Sequence, residues 1–355
     1  MSTIYLIAAS GKLSKKGETL RLHIDEQTTK TIFPFKTDQL VLIGNIDIST
    51  PALKLLMRHR IDTVFINKNG RFNGRLAFAS GKNIFLRQKQ FALINDKDFV
   101  LETARAIAAA KIRNQHYFAQ RLGRSKTYPG STEQTVYNLK RLAGQCAEAQ
   151  STASLRGFEG AAARVYFKAL AKAFVPGFAK FNGRSMNPPR DNVNAVLSFL
   201  YTLILYRVDA AIEMSGLEPH LGCLHSVEYG KRSLSFDLME EYRAIIADPL
   251  CVSLFNLGVL REDDFREVDF STGDDEYPLE EGDAHLGVES KKGVLLNREG
   301  LRKVLVQFER KLDTELLYTP EGRRLSYKNI ILRQVNHYRR VINGEEKVYK
   351  PLRLS

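Results

Sequence analysis

Short apolar runs, each bounded by turn residues, follow one another through about the first ninety positions of the chain. Aliphatic, aromatic and β-branched side chains predominate in residues 4–7 and 19–24, for example, and glycines separate such runs. This pattern is typical of β-strands joined by turns. One helix is expected among the strands at residues 49–59, where Pro51 suits a first helical turn. Residues 1–93 are therefore predicted to form a β-sheet-rich domain.

From residue 98 onward the apolar spacing changes to that of helices. Ala104, Ile107 and Ala108 recur at three- and four-residue intervals, which places them on one helical face. The most apolar run, residues 195–206, is too short to span a bilayer and predicts a buried core helix. The fold class that follows is α+β, with the small β-sheet-rich amino-terminal domain followed by a larger all-α domain over residues 94–355. Helices in this domain are expected at 98–112, 132–149, 157–174, 191–215, 235–247 and 298–311.

The chain carries 53 Lys and Arg against 40 Asp and Glu, a formal net charge of +13. An excess of this size attracts polyanions, chiefly phosphate backbones or acidic membranes, although a solvated basic surface is the alternative. Three widely spaced cysteines, without a CxxC pair, favour neither a disulfide framework nor a zinc site. No apolar segment is long enough for a signal sequence or a membrane span. We therefore expect a cytoplasmic protein without a membrane partner.

One region departs from the basic character of the chain. Residues 261–290 hold twelve acidic residues against only Arg261 and Arg266. Glycine and proline recur here and apolar periodicity is weak, which is typical of a loop. We expect an acidic mobile loop near residues 266–290, within the helical domain.

Glu159 is the first candidate for chemistry. It shares a predicted helical face with Ala162, Tyr166 and Leu170, and this apolar face should look into the core. A carboxylate in such a place is costly unless a cation or strong hydrogen-bond donors meet it. The alternative is a glutamate near a helix start, where the helix dipole favours negative charge. Residue type and position leave both a metal ligand and a structural glutamate open.

An imidazole and a second pair of acids follow later in the chain. His225 lies in the loop after the most apolar helix; histidine is a common metal ligand, although a lone histidine is often structural. Asp237 and Glu240 are three residues apart on a predicted helix, so both carboxylates face the same way. Leu238 and Met239 crowd this pair, whereas a solvated acidic helix start is the alternative. Two carboxylates and one imidazole together suit Mg²⁺ or Mn²⁺.

Several stretches resemble, in order, those of the CRISPR-associated integrase family of spacer acquisition, the Cas-one proteins. The stretches in the helical region are Phe158-Glu159-Gly160, Pro189-Arg190-Asp191-Asn192-Val193-Asn194-Ala195, Gly216-Leu217-Glu218-Pro219 with Leu224-His225, and Asp237-Leu238-Met239-Glu240-Glu241-Tyr242-Arg243. The flanking stretches are Leu86-Arg87-Gln88, Lys111-Ile112-Arg113-Asn114-Gln115 and Gly293-Val294-Leu295-Leu296. The resemblance covers almost the whole chain, and the ordered set is more specific than any single stretch.

The resemblance implies a site and a reaction. It assigns Glu159, His225 and Glu240 as catalytic ligands of Mg²⁺ or Mn²⁺, with Asp237 as a supporting or alternative ligand. The implied activity is that of a metal-dependent DNA integrase and endonuclease. Such an enzyme inserts short DNA fragments into a CRISPR repeat array by transesterification from a 3′-hydroxyl, and it cleaves DNA when water replaces that hydroxyl.

The resemblance also implies partners. Double-stranded DNA is expected, both as the prespacer and as the CRISPR repeat, together with the family's small Cas-two protein. A homodimer is expected to form through residues 1–93, which would also contact DNA. Basic side chains that could follow the duplex backbone are Arg71, Arg75, Lys82, Arg87 and Lys89.

Two other interpretations remain open at this point. His337 and Arg340, followed by Tyr349, superficially resemble the histidine, arginine and tyrosine of metal-independent tyrosine recombinases. A non-catalytic DNA-binding scaffold is the other interpretation, and it predicts DNA binding without strand transfer.

Overall fold

The computed structural model of the chain describes residues 2–24, 28–67, 72–76, 83–185, 188–269 and 292–354. These residues fall into two compact units. The first unit is Met1–Ser80 with Leu295–Lys303, and the second is Gly81–Val294 with Val304–Ser355. The architecture is of the predicted α+β class, because an amino-terminal β-sheet is followed by a mostly helical region.

A mixed β-sheet forms most of the first unit. Its described strands, in chain order, are β1 (Thr3–Lys16), β2 (Thr19–Ile24), β3 (Thr28–Ile32), β4 (Gln39–Ile48), β5 (Asp62–Ile66) and β6 (Phe72–Arg75). Their order in the sheet is β3-β2-β1-β4-β5-β6, and β1 is antiparallel to β2 but parallel to β4. Gly44 on β4 has a φ of +103°, and a Cβ there would lie 1.9 Å from the carbonyl oxygen of Ala8. Only glycine fits this approach, which lies at an irregularity in the β1–β4 pairing.

Helix α1 (Thr50–Arg58) belongs to the same unit and shares its core. Pro51 stands in its first turn, in agreement with the helix predicted at residues 49–59. Leu55 and Leu56 are buried, and burial of each such side chain stabilises the fold by about 1.5–3 kcal/mol. The strand residues of this core cluster are Leu6, Leu13, Leu20, Leu22, Ile32, Leu40 and Leu42.

Helices dominate the rest of the chain. They are α2 (Ile84–Leu93), α3 (Lys97–Gly123), α4 (Glu133–Ala147), α5 (Thr152–Leu170), α6 (Asn192–Met214), α7 (Ser233–Tyr242), α8 (Asp248–Asn256), α9 (Arg298–Asp313) and α10 (Tyr327–Asn343). A π-helical turn, Arg243–Ala247, joins α7 to α8. Helix α3 is 27 residues long and packs against α4, α5 and α7, so it is a central helix of the second unit.

Helix α6 is capped by Asp191, whose Oδ1 accepts from the N–H of Asn194 at 2.7 Å. Within the part of the chain that the structure describes, α6 is the helix long and apolar enough to cross a membrane. However, 78% of its most apolar window is buried inside the structure. Such burial is that of a core helix, as predicted for residues 195–206.

The region predicted to be all-α also contains strands. β7 (Phe265–Asp269) pairs with β8 (Lys292–Leu296), and β9 (Glu315–Tyr318) pairs with β10 (Arg323–Ser326). These strands are four or five residues long, too short for a clear alternating pattern in the sequence. β7 also replaces the start of the expected acidic mobile loop; the remainder of that loop, residues 270–290, lies outside the described residues.

The division between the units falls at residue 80, whereas the sequence suggested a boundary at residue 93. Helix α2 therefore belongs to the second unit. Its buried Gln90 donates through Nε2 to the carbonyl of Glu218 at 2.9 Å and accepts from the N–H of Glu218 at 2.8 Å. These two hydrogen bonds to the loop after α6 explain why α2 packs with the helices rather than with the sheet.

Candidate metal centre

Three helices that pack together carry two acidic candidates and a lysine. Helix α3 contributes Lys111 from the middle of its length, α5 contributes Glu159, and α7 contributes Glu240. Helix α5 starts at a cap formed by Ser151, whose Oγ accepts from the N–H of Ser154. Two turns later the helix places Glu159 beside α3. Helix α7 is buried along almost its whole length, so the charge of Glu240 has to be met inside the protein.

The ammonium of Lys111 joins the two glutamates. Its Nζ is 2.5 Å from Oε1 of Glu159 and 2.9 Å from Oε2 of Glu240. The side chains of Lys111 and Glu240 are 9% and 1% exposed, whereas that of Glu159 is 27% exposed. Arg243 places Nη1 3.2 Å from Oε1, the second oxygen of Glu240. Glu240 therefore lies between two cations, one at each oxygen.

Burial and charge oppose each other in this cluster. Burial alone would raise the pKa of Glu240, but Arg243, Lys111 and His225 together lower that pKa to about 2. Burial alone would lower the pKa of Lys111, but Glu240 and Glu159 together raise it above its ordinary value. At neutral pH Glu240 is thus ionised and Lys111 is protonated, and the cluster is charged although it is buried.

Asp237 holds His225 and the loop in front of it. Oδ2 of the fully buried Asp237 accepts from the N–H of Cys223 at 2.5 Å and from that of Leu224 at 2.9 Å. Oδ1 accepts from the N–H of His225 at 2.9 Å and lies 2.7 Å from its Nδ1. Because Nδ1 faces this carboxylate, Nε2 is the ring nitrogen that can ligate a metal. Both oxygens of Asp237 are engaged within the protein, so its geometry fits a supporting role rather than that of a direct ligand.

The loop that carries His225 is fixed on both sides of the histidine. On one side, a Cβ at Gly222 would lie 2.6 Å from the backbone carbonyl carbon of Ser233, so this close approach to α7 requires glycine. On the other side, Oγ of Ser233 donates to the carbonyl of Ser226 at 2.6 Å. The imidazole is therefore presented by a loop with little freedom to shift.

Among the described residues, no group of three or more His, Cys, Asp or Glu side chains surrounds a common metal position. The cation that joins Glu159 and Glu240 is the ammonium of Lys111. The donor set nevertheless suits a divalent ion. Oε2 of Glu240 is buried and meets only the ammonium of Lys111, at 2.9 Å, and His225 has the carboxylate partner that metal-ligating histidines commonly have. By their chemistry, Glu159, Glu240 and His225 fit a divalent cation.

The four candidate residues from the sequence lie in two pairs. Glu159 and Glu240 meet at Lys111, and His225 pairs with Asp237. The two pairs are neighbours, because Asp237 and Glu240 are one turn apart on α7 and Asp237 is in contact with His225. The structure thus brings all four into one region, with Asp237 behind the histidine.

Sequence reasoning gave no role to Lys111 or Arg243, although both lie in stretches that resemble the family. A signal for Lys111 was present. It follows Ile107 by four residues and Ala108 by three, so it lies on the predicted apolar face of α3. A lysine on such a face requires a buried anion, which is what the two glutamates provide.

A second buried acid adjoins the centre through Arg243. Asp248, the first residue of α8, accepts from the hydroxyls of Tyr166 at 2.5 Å and Tyr201 at 2.6 Å. Burial raises the pKa of Asp248 to about 6, although the two tyrosine hydrogen bonds lower it. The guanidinium of Arg243 lies 4.6 Å from the centre of the Tyr201 ring, a cation–π contact that fixes its position.

Tyr349, the nucleophile of the tyrosine-recombinase interpretation, is buried. It is 4% exposed, and its hydroxyl donates to the carboxylate of Glu241. Burial raises the pKa of Tyr349 well above its ordinary value. A hydroxyl enclosed in this way does not face a DNA phosphate, which argues against that interpretation.

The segment around Tyr349 braces helix α7 instead. Oε2 of Glu241, the residue after Glu240, accepts from the N–H of Leu352 at 2.7 Å. The side-chain amide of Asn114 on α3 donates to the carbonyls of both Glu241 and Leu352 at 3.0 Å. Burial raises the pKa of Glu241 to about 7, against the effect of these hydrogen bonds. The helix that carries Glu240 is thereby tied to α3 and to the segment after α10.

The structure describes three of the basic residues expected to follow the DNA duplex: Arg75, Arg87 and Lys89. Arg75 is mostly buried and places Nη2 2.8 Å from Oδ2 of Asp62, so its guanidinium is committed to the sheet. Lys89 on α2 is exposed, as a phosphate contact has to be. Arg71 and Lys82 lie outside the described residues.

Known proteins match this chain along its whole length. The family model described as CRISPR associated protein Cas1 matches residues 4–272. CRISPR-associated endonuclease Cas1 3 of Thermus thermophilus is 30% identical over 355 residues, which are 99% of this chain and 97% of that protein. CRISPR-associated endonuclease Cas1 1 of Moorella thermoacetica is 27% identical over 357 residues, which are 99% of this chain and 98% of that protein.

Solved structures share the fold. A Cas1 protein from Thermotoga maritima superposes with a TM-score of 0.77 at 22% identity, over 98% of this chain and 99% of that one. A casposase bound to integration product superposes with a TM-score of 0.81 at 20% identity, over 100% of this chain and 95% of that one. These identities show a common fold, while the family model and the Thermus relative show descent. The chain belongs to the Cas1 family of CRISPR-associated proteins.

Proposed function

We propose that the chain is a divalent-metal-dependent DNA integrase and endonuclease that inserts short DNA fragments into a CRISPR repeat array. The observation that carries the proposal is the meeting of Glu159 and Glu240 at one cation, with Glu240 one helical turn from the Asp237 that holds His225, in a chain of this family. The names of the relatives as endonucleases support a nuclease. The fold shared with a casposase bound to integration product supports strand transfer.

In the proposed site, Glu159, Glu240 and His225 would hold Mg²⁺ or Mn²⁺. The imidazole ligand favours Mn²⁺ over Mg²⁺. Such an ion supplies Lewis-acid stabilisation of charge on a phosphate and lowers the pKa of an attacking hydroxyl. Asp237 fixes the ring of His225 and, through three peptide N–H groups, the loop that carries it. Arg243 keeps Glu240 ionised. The chain thus provides a fixed and charged frame for phosphate chemistry.

The reaction that we assign to this site is a phosphodiester exchange. The 3′-oxygen of the incoming duplex forms a bond to a phosphorus atom of the repeat, and the bond from that phosphorus to the repeat's own 3′-oxygen breaks. The attacking hydroxyl loses its proton, and the departing oxygen gains one. Because one phosphodiester replaces another, neither a nucleotide cofactor nor a covalent protein intermediate is required. Water in place of the 3′-hydroxyl gives hydrolysis, which is the endonuclease activity.

The proposed substrates are a short prespacer duplex and the CRISPR repeat, both double-stranded DNA. The net charge of +13 supports a polyanionic partner. The fold is shared with one chain of a Cas6-RT-Cas1--Cas2 complex at a TM-score of 0.81, and the match covers 36% of that longer chain. It is also shared with a Cas1–DNA complex at a TM-score of 0.57. These neighbours support assembly with DNA and with the small Cas2 protein. We further propose that two copies of the chain form a homodimer through the first unit.

Strand transfer of a short duplex into a plasmid that carries a CRISPR repeat tests the proposed function, with the Cas2 partner present. Activity should require Mn²⁺ or Mg²⁺ and should disappear in excess EDTA. Glu159→Gln, Glu240→Gln and His225→Ala should each lose strand transfer, because each removes a metal ligand. Glutamine is preferred at Glu240 because it keeps the volume of the buried side chain between two cations.

Two outcomes would replace the proposal. Full activity in EDTA would contradict metal dependence and revive the tyrosine mechanism, for which Tyr349→Phe is the matching variant. Binding of DNA without transfer or cleavage, with Cas2 and either metal present, would instead make the chain a non-catalytic scaffold.

A further inference from the structure

The ammonium of Lys111 occupies the position between two of the proposed metal ligands. Its Nζ is 2.5 Å from Glu159 and 2.9 Å from Glu240, distances at which it bonds to both carboxylates. Lys111 stands in the middle of α3, between the fully buried Ala110 and Ile112, so its backbone is fixed. A divalent ion that bound these two carboxylates would have to take the place of the protein's own cation.

The four charged groups in direct contact at the two glutamates balance one another. The negative charges of Glu159 and Glu240 face the positive charges of Lys111 and Arg243. A divalent ion would add two positive charges, and like charges about 4 Å apart repel strongly where water is excluded. Either a cation has to leave the carboxylates, or an anion has to arrive with the metal. The phosphodiester of DNA is the anion that the proposed reaction brings.

Of the two protein cations, Lys111 is the one able to move. Arg243 is held from two sides, by Glu240 and by the ring of Tyr201 at 4.6 Å. The ammonium of Lys111 ends a flexible four-carbon stem, and the two glutamates hold that end. If a divalent ion takes over the glutamates, the stem can turn the ammonium toward a phosphate without movement of α3.

We propose that Lys111 competes with the divalent ion for Glu159 and Glu240, and that the displaced ammonium binds the DNA phosphate. Metal affinity is then weak without DNA and rises when DNA is bound, so that metal and DNA load the site together. This inference rests on the proposed metal site and adds that Lys111 and DNA control when the metal ion binds there.

Binding of Mn²⁺ to the full-length protein tests the inference, measured by titration calorimetry with and without a short blunt DNA duplex. Lys111→Met removes the competing charge at similar side-chain length. Without DNA, this variant should bind Mn²⁺ about 10–100-fold more tightly than the wild type, the range over which groups around metal ligands alter affinity. DNA should raise the Mn²⁺ affinity of the wild type by a larger factor than that of Lys111→Met, because only the wild type also gains a bond between the displaced ammonium and the phosphate.

Two further variants make the measurement specific. Lys168→Met removes an exposed charge from α5, the helix that carries Glu159, and should bind Mn²⁺ as the wild type does without DNA. Glu159→Gln is the blank for Mn²⁺ held by the DNA or elsewhere on the protein. If Glu159→Gln binds Mn²⁺ as tightly as the wild type, the metal site of the proposed function is wrong.

Other outcomes overturn the inference alone. The competition is wrong if the wild type binds Mn²⁺ through Glu159 but Lys111→Met binds it no more tightly. The phosphate step is wrong if DNA raises the Mn²⁺ affinity of both proteins equally.

Thermal unfolding shows whether Lys111→Met is folded. In EDTA its Tm should fall, because two carboxylates have lost their cation. Mn²⁺ should then raise the Tm of the variant by more than that of the wild type, since tighter binding to the folded state gives more stabilisation. If Lys111→Met does not fold, Lys111→Gln, whose amide still donates to a carboxylate, takes its place. Mn²⁺ affinity of Lys111→Gln no higher than that of the wild type would contradict the proposal.

Discussion

Asp237 meets three peptide N–H groups and one imidazole nitrogen with its two carboxylate oxygens. The position of His225 therefore depends on a carboxylate twelve residues away. A buried N–H that loses its acceptor costs about 1–3 kcal/mol, so the loop has a strong preference for this one arrangement. At the scale of single residues, Asp237 acts on a metal through the histidine.

Asp237→Asn should weaken Mn²⁺ binding about 10–100-fold, because the amide nitrogen cannot accept from the peptide N–H groups and His225 loses its fixed position. Raising the Mn²⁺ concentration should restore part of the strand transfer to Asp237→Asn but not to Glu240→Gln, which lacks a ligand. The matched control is Glu218→Gln, whose carboxylate lies 2.6 Å from Nδ1 of His220 in the same loop and should leave Mn²⁺ affinity unchanged. Rescue of Glu240→Gln alone would mean that the two carboxylates have exchanged roles.

At the scale of elements, helices with clear end signals could be predicted. Helix α6 was expected at residues 191–215 and spans Asn192–Met214, because Asp191 is an effective N-cap and Gly216 ends the pattern. Helix α10 was not predicted, since many basic residues on its exposed face obscure the apolar stripe. The buried residues of that stripe are Ile330, Ile331, Val335, Tyr338, Val341 and Ile342.

Partners across elements could not be predicted. The inward-facing Glu159 indicated that some cation had to be near, and the sequence suggested a metal. The cation in the structure is Lys111, 48 residues earlier on another helix. Which side chains meet depends on how α3, α5 and α7 pack, and local periodicity carries no information about that packing.

Asp248 connects α8 with α5 and α6 through the hydroxyls of Tyr166 and Tyr201, and Arg184 and Arg243 also act on its charge. Its pKa is about 6 in the folded protein, whereas an aspartate in an unfolded chain has a pKa of about 3.9. The folded state therefore holds the proton more tightly. The resulting stabilisation, about 2–3 kcal/mol, is fully present below pH 4 and is lost as the pH rises through 6.

Asp248→Asn should remove this part of the pH dependence, because the amide stays neutral. We expect the free energy of unfolding of the wild type, relative to that of Asp248→Asn, to fall between pH 4.5 and 7.5 in urea titrations. Replacement of the exposed Asp98 by Asn is the control and should leave the profile of the wild type unchanged. Parallel profiles of the wild type and Asp248→Asn would contradict the assignment.

At the scale of the whole molecule, the Lys and Arg residues behind the net charge of +13 occur in both units, whereas the proposed ligands lie together in the second unit. DNA binding should therefore be separable from catalysis. In EDTA, Glu159→Gln should bind duplex DNA as the wild type does, and log K should fall with log salt by about 0.9 per phosphate neutralised. Fluorescence anisotropy of a labelled duplex at several salt concentrations measures this slope. An affinity that does not change with salt would mean that the basic excess is not a binding surface.

The bracing of α7 by residues far along the chain has a consequence for biosynthesis. Glu241 is held by Tyr349 and Leu352, which follow it by 108 and 111 positions. A growing polypeptide leaves the ribosome amino terminus first, so α7 emerges well before the residues that fix it. Until they follow, the carboxylate of Glu241 lacks these donors, and the helix that carries Glu240 has no settled position. We therefore expect the nascent protein to carry out neither strand transfer nor DNA cleavage until Leu352 has left the ribosome.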